Sequence, residues 1–241
     1  GTAQYDALQT LQRALALPAV PRIVAHPRTR SAMQRQGVAD PRLPATTVTE
    51  SLTLFEGPDR VDVHHVGVGH TAGDLVVVFP GKRLAYLGDL FPGKVLPVVD
   101  RALGGSYAAL PDTLDRAIAR LKGVARVIPS HAEPPPGSPI GRWVTFADLQ
   151  EYAAFTRDLV ETVRSGLQSG ASVAALAARL PLPARYASYD LAGAPAVVQA
   201  IADDGGQAVQ RRGHAGPIAT GGKQLASLLE RRLRLGDFAL L

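Results

Sequence analysis

Residues 66–89 constrain the fold of this chain more than any other stretch. Val66-Gly67-Val68-Gly69-His70-Thr71-Ala72-Gly73-Asp74 places a histidine in a glycine-bracketed turn, and Tyr86-Leu87-Gly88-Asp89-Leu90-Phe91 closes the segment. Between them, two apolar runs at 75–79 and 83–87 flank Pro80-Gly81-Lys82. A turn signal between two apolar runs predicts a β-hairpin, here one that ends on Asp89 with its carboxylate at a buried strand end. Val127-Ile128-Pro129-Ser130-His131 repeats the idea of a buried strand delivering one ligand-type side chain. His, Asp and His, each at a strand end or tight turn, are the residue types that hold zinc or a similar borderline metal.

These motifs closely resemble the second half of the metallo-β-lactamase superfamily. There a Gly-His-Thr-x-Gly-Asp turn, a later Gly-Asp-Leu and a final Pro-x-His supply metal ligands. The resemblance implies an α/β fold, the αββα sandwich of that superfamily, and two zinc ions per complete protein. It implies that His70 ligates one metal, His131 the other, and Asp89 both, which makes Asp89 the central catalytic residue. Thr71 and Asp74 are expected behind His70, capping its turn through backbone N–H groups, while Gly69 and Gly73 permit positive φ or close backbone approach. An aspartate at 89, rather than cysteine or serine, favours the thioesterase-like or lactonase-like branches. The superfamily usually has Pro-Gly-His-Gly around its last histidine, and Ser130 and Ala132 replace both glycines here. Residues 100–106 resemble a loop of one bacterial subgroup. In it Gly104, Gly105 and Ser106 either line the substrate cleft, donating N–H groups to an oxyanion, or form a simple turn.

The superfamily's main ligand block, His-x-His-x-Asp-His, is not in the sequence. The histidines are His26, His64, His65, His70, His131 and His214, and no two are separated by a single residue. A binuclear hydrolase site needs roughly four ligands per metal, so three side chains make about half of one. The expectation is a fragment, its sandwich incomplete at the N-terminus, with the missing block encoded a short way upstream of Gly1. These 241 residues alone are then expected to bind zinc weakly and to show little hydrolase activity.

Composition narrows the classes further. With 46% hydrophobic residues the chain can bury a sizeable core. No segment approaches the roughly 18–20 uninterrupted apolar residues of a membrane span, and no signal peptide is visible, so a soluble cytoplasmic or periplasmic protein is expected. There is no cysteine, which leaves only nitrogen and oxygen ligands. The net charge of +5 is uneven: residues 205–241 carry six basic side chains against two acidic ones, leaving +1 for the rest. A basic tail on a nearly neutral body is weak support for a nucleic-acid surface. The partner expected is a small-molecule substrate, and the sequence carries no signal for oligomeric state.

The remaining periodicity sorts into three parts: 1–135 as the superfamily-like portion, 136–204 as a helical extension, and 205–241 as a basic tail expected to be mobile. In the first part, Tyr5, Leu8, Leu11, Leu15 and Leu17 approximate one helical face, and residues 22–25 form a short strand. Residues 28–36 read as a polar helix ended by Gly37, and His26 reads as structural or as a support to the site. Alternation predicts strands over 47–55 and 60–66, the latter holding His64 and His65, a helix over 110–121 and a strand over 124–128. Glu133-Pro134-Pro135-Pro136-Gly137 marks a boundary. Helices follow over 145–167, ended by Gly170, and over 173–180 after the N-cap candidate Ser172.

Three functions are compatible with this reading. The first is a metal-dependent hydrolase in which metal-bound hydroxide attacks an ester, thioester, lactone or amide carbonyl. The second is a degenerate member that keeps the scaffold as a non-catalytic binding module. The third is a nucleic-acid-processing nuclease. No Gly-x-Ser-x-Gly elbow and no phosphate-binding glycine loop offers another route.

Overall fold

β-branched and aliphatic residues dominate the centre of the chain, and they build a mixed six-stranded sheet. The structure, a computed structural model, describes residues 23–40, 42–131 and 144–210, with backbone alone for 205–210. The sheet runs β3 (Ser51–Leu54), β4 (Val61–His65), β5 (Leu75–Phe79), β6 (Leu84–Tyr86), β7 (Arg126–Ile128) and β8 (Val144–Thr145), in sequence order. The first four strands pair antiparallel, β6 and β7 pair parallel, and β8 returns antiparallel. The expected hairpin is β5–β6. Pro80–Lys82 forms its turn, and Arg83 at φ 51° takes the left-handed conformation that reverses the chain.

The strand expected over 47–55 is two strands in different sheets. β2 (Thr46–Thr47) pairs parallel with β1 (Val24–Ala25), whereas β3 joins the large sheet after a bend. Alternation survives the bend, so periodicity alone does not reveal it.

One sheet face, carrying Val76, Val78, Ala85 and Val127, is buried against helices. The parallel pair β6–β7 needs a crossover, which α2 (Leu110–Arg120) supplies, with Leu110, Leu114 and Ala117 facing the core; α1 (Pro27–Arg35) precedes the sheet. α3 (Phe146–Gln168) packs on α2 and the sheet through Leu149, Tyr152, Phe155, Leu159 and Val163. A reciprocal capping box between Thr145 and Asp148 starts α3, and Gly170 at φ 88° follows its end. α4 (Val173–Ala178) begins at Ser172, whose hydroxyl accepts from the Ala175 amide. α5 (Ala194–Gln210) lies mostly within the expected helical extension but was not delimited there, and its backbone runs across position 204 and through Gly205 and Gly206. Buried Val197, Val198 and Ile201 join it to the same core, and such burial outweighs the ~1 kcal/mol helix penalty of each glycine.

No helix among the described residues is long and apolar enough to cross a membrane. The helix expected near Tyr5 to Leu17, the boundary at 133–137 and most of the basic tail lie outside the described residues.

Candidate metal centre

Sheet register brings the three candidate ligands to one edge. β6 and β7 are parallel with Tyr86 opposite Ile128, and Asp89 and His131 each lie three residues beyond those partners. β4 ends and β5 begins at the same edge, because both pair antiparallel with their neighbours. The turn between them carries His70. Side chains at the carboxyl ends of parallel strands are the usual place for a site in such sheets.

Asp89 is not inside a strand, as the hairpin pattern suggested. It sits in the single 3₁₀ turn Gly88–Leu90, and its side chain is 38% exposed. His70 Nε2 lies 3.3 Å from Asp89 Oδ2, and His131 Nε2 lies 2.9 Å from Oδ1. Burial pushes the Asp89 carboxyl up, but the His131 hydrogen bond, the His70 charge and nearby Ser130 outweigh it and hold it down at about 2. The Ser130 hydroxyl is buried beside the carboxylate without a well-aligned hydrogen bond of its own among the described residues.

His70 is oriented from behind. Its Nδ1 is 2.6 Å from the Val98 carbonyl oxygen, an atom that only accepts, so Nδ1 carries a proton, and in the neutral ring Nε2 presents its lone pair. Val98 is fixed in turn. Its segment is held by the Tyr107 hydroxyl on the Pro97 carbonyl, by paired backbone bonds between residues 94–96 and Asp190, and by Lys94 with Glu151.

Thr71 and Asp74 close the turn. The Thr71 amide donates to both Asp74 carboxylate oxygens (3.0 and 2.9 Å), the Thr71 hydroxyl donates to one of them, and the Gly73 amide donates to Thr71 Oγ1. Burial pushes the Asp74 carboxyl up, against the opposing pull of Thr71 and His70. Neither Gly69 nor Gly73 has positive φ. Both are glycines because of close approach: a Cβ at Gly69 would stand 2.2 Å from Leu90 Cδ2, and one at Gly73 2.2 Å from Thr29 Oγ1.

The Gly104-Gly105-Ser106 loop lies against the back of this turn. The amides of Gly104, Gly105 and Ser106 donate to the carbonyls of Arg101, Asp100 and Gly69. All three are committed internally, in the manner of the simple turn that was one of the two readings. A Cβ on Gly105 would be 2.0 Å from the His70 carbonyl oxygen, so the loop supports the histidine. Asp204 on α5 anchors it, accepting from the Tyr107 amide at 2.9 Å and the Ser106 hydroxyl at 3.3 Å.

His26 caps α1, its Nδ1 accepting from the Arg28 amide at 3.2 Å, and stacks on His65 at 4.1 Å between centroids. His65 Nδ1 donates to the Asp74 carbonyl at 3.0 Å. The pair therefore buttresses the turn.

Among the described residues, no three or more His, Asp or Glu side chains converge as a ready metal cage. The geometry explains this: the two imidazoles address different oxygens of one carboxylate, forming two pairs that share Asp89. The nitrogen and oxygen donors suit a borderline cation. Two ligands on a tetrahedral zinc with bonds of ~2.0–2.1 Å stand about 3.3–3.4 Å apart, which matches the His70–Asp89 separation of 3.3 Å. The 2.9 Å His131 contact is an ordinary hydrogen bond.

A family model described as the metallo-beta-lactamase superfamily matches residues 9–131, just over half of the chain. The chain belongs to the metallo-β-lactamase superfamily. Solved structures similar to it include the DIM-1 metallo-beta-lactamase, at 17% identity and TM-score 0.44 over 61% of each chain. The metallo-beta-lactamase from Pontibacter korlensis is 22% identical at TM-score 0.44, covering 64% of this chain and 76% of that one. TMB-1 is 20% identical at TM-score 0.42, over 56% of each. The matched region spans about three-fifths of the length of the first of these. No curated protein matches the chain.

Sequence reasoning singled out His70, Asp89 and His131 by residue type, and the structure brings both histidines within 3.3 Å of the shared Asp89 carboxylate. It missed Val98, which acts through a backbone carbonyl that any residue possesses. It also missed Asp204, which lies 98 residues from Ser106 and so has no local pattern.

Proposed function

We propose that this chain carries part of a metal-dependent hydrolase site acting on a small carbonyl substrate, an ester, thioester, lactone or amide. The observation that supports it most is the pair His70 Nε2 and Asp89 Oδ2. A lone pair and an ionised carboxylate oxygen face each other at 3.3 Å, with the histidine proton committed to Val98 on the far side. Two acceptors hold such a position when a cation or a proton lies between them. The donor types of His70, Asp89 and His131 suit zinc or a similar metal, which they would hold once His131 gave up its hydrogen bond to the carboxylate. When bound it supplies Lewis acidity that polarises a carbonyl and activates water.

The chain's own residues prepare that chemistry. Val98 sets the His70 tautomer, as second-layer carbonyls do for metal-binding histidines. Asp89 brings the negative charge, and the half-exposed His131 and Asp89 side chains leave one side open to a small molecule.

Equilibrium dialysis against zinc, with the metal counted, tests the reading on the chain, on Asp89→Asn and on His70→Ala. The expected result is weak zinc uptake that each substitution weakens further by about tenfold. Hydrolysis of a thioester and lactone panel should fall in the same order. If the chain takes up no zinc, or if both variants bind as it does, the reading fails and the scaffold is better described as a non-catalytic binding module.

A further inference from the structure

We propose that Arg116 is a positioning residue for His70, acting with Thr113 through the backbone that leads into the His70 turn. The consequence for metal binding rests on the reading of His70 as a ligand; the placement of the imidazole does not.

Beyond β4 the chain leaves the sheet at residue 66, so the backbone groups of residues 66–70 lose their ladder partners and need others. The carbonyls find them at long range. Val66 O accepts from Arg116 Nε at 2.7 Å, and Val68 O accepts from the Thr113 hydroxyl at 2.5 Å. Gly69 O and His70 O accept from the amides of Ser106 and Asp100. The first two anchors are one unit, because Arg116 Nη2 donates to Thr113 Oγ1 at 2.8 Å and that hydroxyl donates onward to Val68. A guanidinium feeding a hydroxyl that feeds a carbonyl is a charge-assisted relay whose members strengthen one another.

Arg116 and Thr113 stand three residues apart on α2 and so face the same strip of backbone. Thr113 is fully buried. Among the described residues Arg116 enters no ion pair, and its directed bonds go to this relay.

Gly67 supplies an independent sign that the relay is built in. It lies between the two anchored carbonyls at φ 126°, and a Cβ there would be 2.3 Å from Arg116 Nη2 and 2.8 Å from Thr113 Oγ1. The glycine leaves the space that the guanidinium fills. Three residues further on, His70 Nδ1 must meet the Val98 carbonyl at 2.6 Å, and a metal site tolerates ligand placement errors of only about 0.2 Å. Slack at residues 66–68 would be felt there.

The test uses the full chain with Arg116→Gln, Gly67→Ala, the double variant and His70→Ala. Imidazole ¹⁵N shifts at alkaline pH report the His70 tautomer without metal, and zinc competition against a chromogenic chelator reports affinity. The chain should show His70 as a single Nδ1–H tautomer. Arg116→Gln and Gly67→Ala should each give a mixture and lose zinc affinity by about tenfold. The double variant should resemble either single one, because both remove the same relay. Arg116→Lys, which keeps the charge without the fork, replaces the glutamine variant where that one does not fold. A purely structural arginine would lower the melting temperature and leave tautomer and affinity unchanged. That result overturns the proposal, while loss of zinc in His70→Ala alone would keep the metal reading intact. Zinc binding unchanged in His70→Ala would overturn the metal reading, and the tautomer result would still decide the role of Arg116.

Discussion

The His70 ring and the Val98 carbonyl meet at 2.6 Å, and this one bond decides which imidazole nitrogen faces Asp89. Val98 contributes it through its backbone, and the residue as a whole is 58% exposed. Val98→Ala should therefore change stability by no more than about 0.5 kcal/mol and leave zinc affinity and the His70 tautomer as they are. Chemical denaturation and the ¹⁵N shifts of His70 check both. A change of tautomer in Val98→Ala would show that the side chain, not the carbonyl, sets the ring.

Gly105→Ala tests the support behind the same turn. Its Cβ would press on the His70 carbonyl at 2.0 Å and on Val99 Cγ1 at 2.7 Å. Overpacking of this kind costs about 1–3 kcal/mol, and zinc affinity should fall with it. Gly170→Ala is the contrast. It is strained at φ 88° but meets nothing within 4 Å, so it should cost about 1–2 kcal/mol without touching zinc affinity. Equal effects on zinc from both variants would remove Gly105 from the support of His70.

His26 gives the metal-free protein an acid-sensitive contact. Burial, then His65 and Arg28, lowers its pKa from 6.5 to about 4. The unfolded chain thus takes up a proton that the folded His26 refuses. Its contribution is fully present above about pH 6.5 and is lost as pH falls from there to about 4. His64, lowered mainly by burial and Arg120, acts in the same direction. Asparagine also caps helices, so His26→Asn should keep α1 and flatten part of the pH dependence between 6.5 and 4. Urea unfolding across that range measures it, and an unchanged slope would refute the assignment.

Tyr152 is fully buried in the core beneath the site, edge-on to Phe91 at 5.2 Å, and its hydroxyl has no hydrogen-bond partner among the described residues. An unsatisfied buried hydroxyl costs about 1–3 kcal/mol. Tyr152→Phe should therefore be neutral or stabilising in thermal unfolding. A loss of more than about 1 kcal/mol would mean that the hydroxyl is satisfied after all, by a buried water.

Local patterns in the sequence determined the local elements and the donor chemistry. Pro80-Gly81-Lys82 between apolar runs makes the β5–β6 hairpin, and Gly37 and Gly170 stand just past helix ends at positive φ. Ser172 caps α4 because a hydroxyl three residues before a free amide is a property of the chain alone. The identities of His70, Asp89 and His131 set the available donor atoms for the same reason. Tertiary structure alone decided how they meet. Parallel register of β6 with β7 put Asp89 beside His131. A carbonyl 28 residues away fixed the His70 ring, Arg116 took the Val66 carbonyl from 50 residues away, and the Gly104-Gly105-Ser106 amides turned inward. Backbone carbonyls and amides are the same in every residue but proline, so no side-chain pattern announces which of them will bind which. α5 formed through Gly205 and Gly206 for a related reason, because helix propensity acts locally and the burial of Val197, Val198 and Ile201 does not.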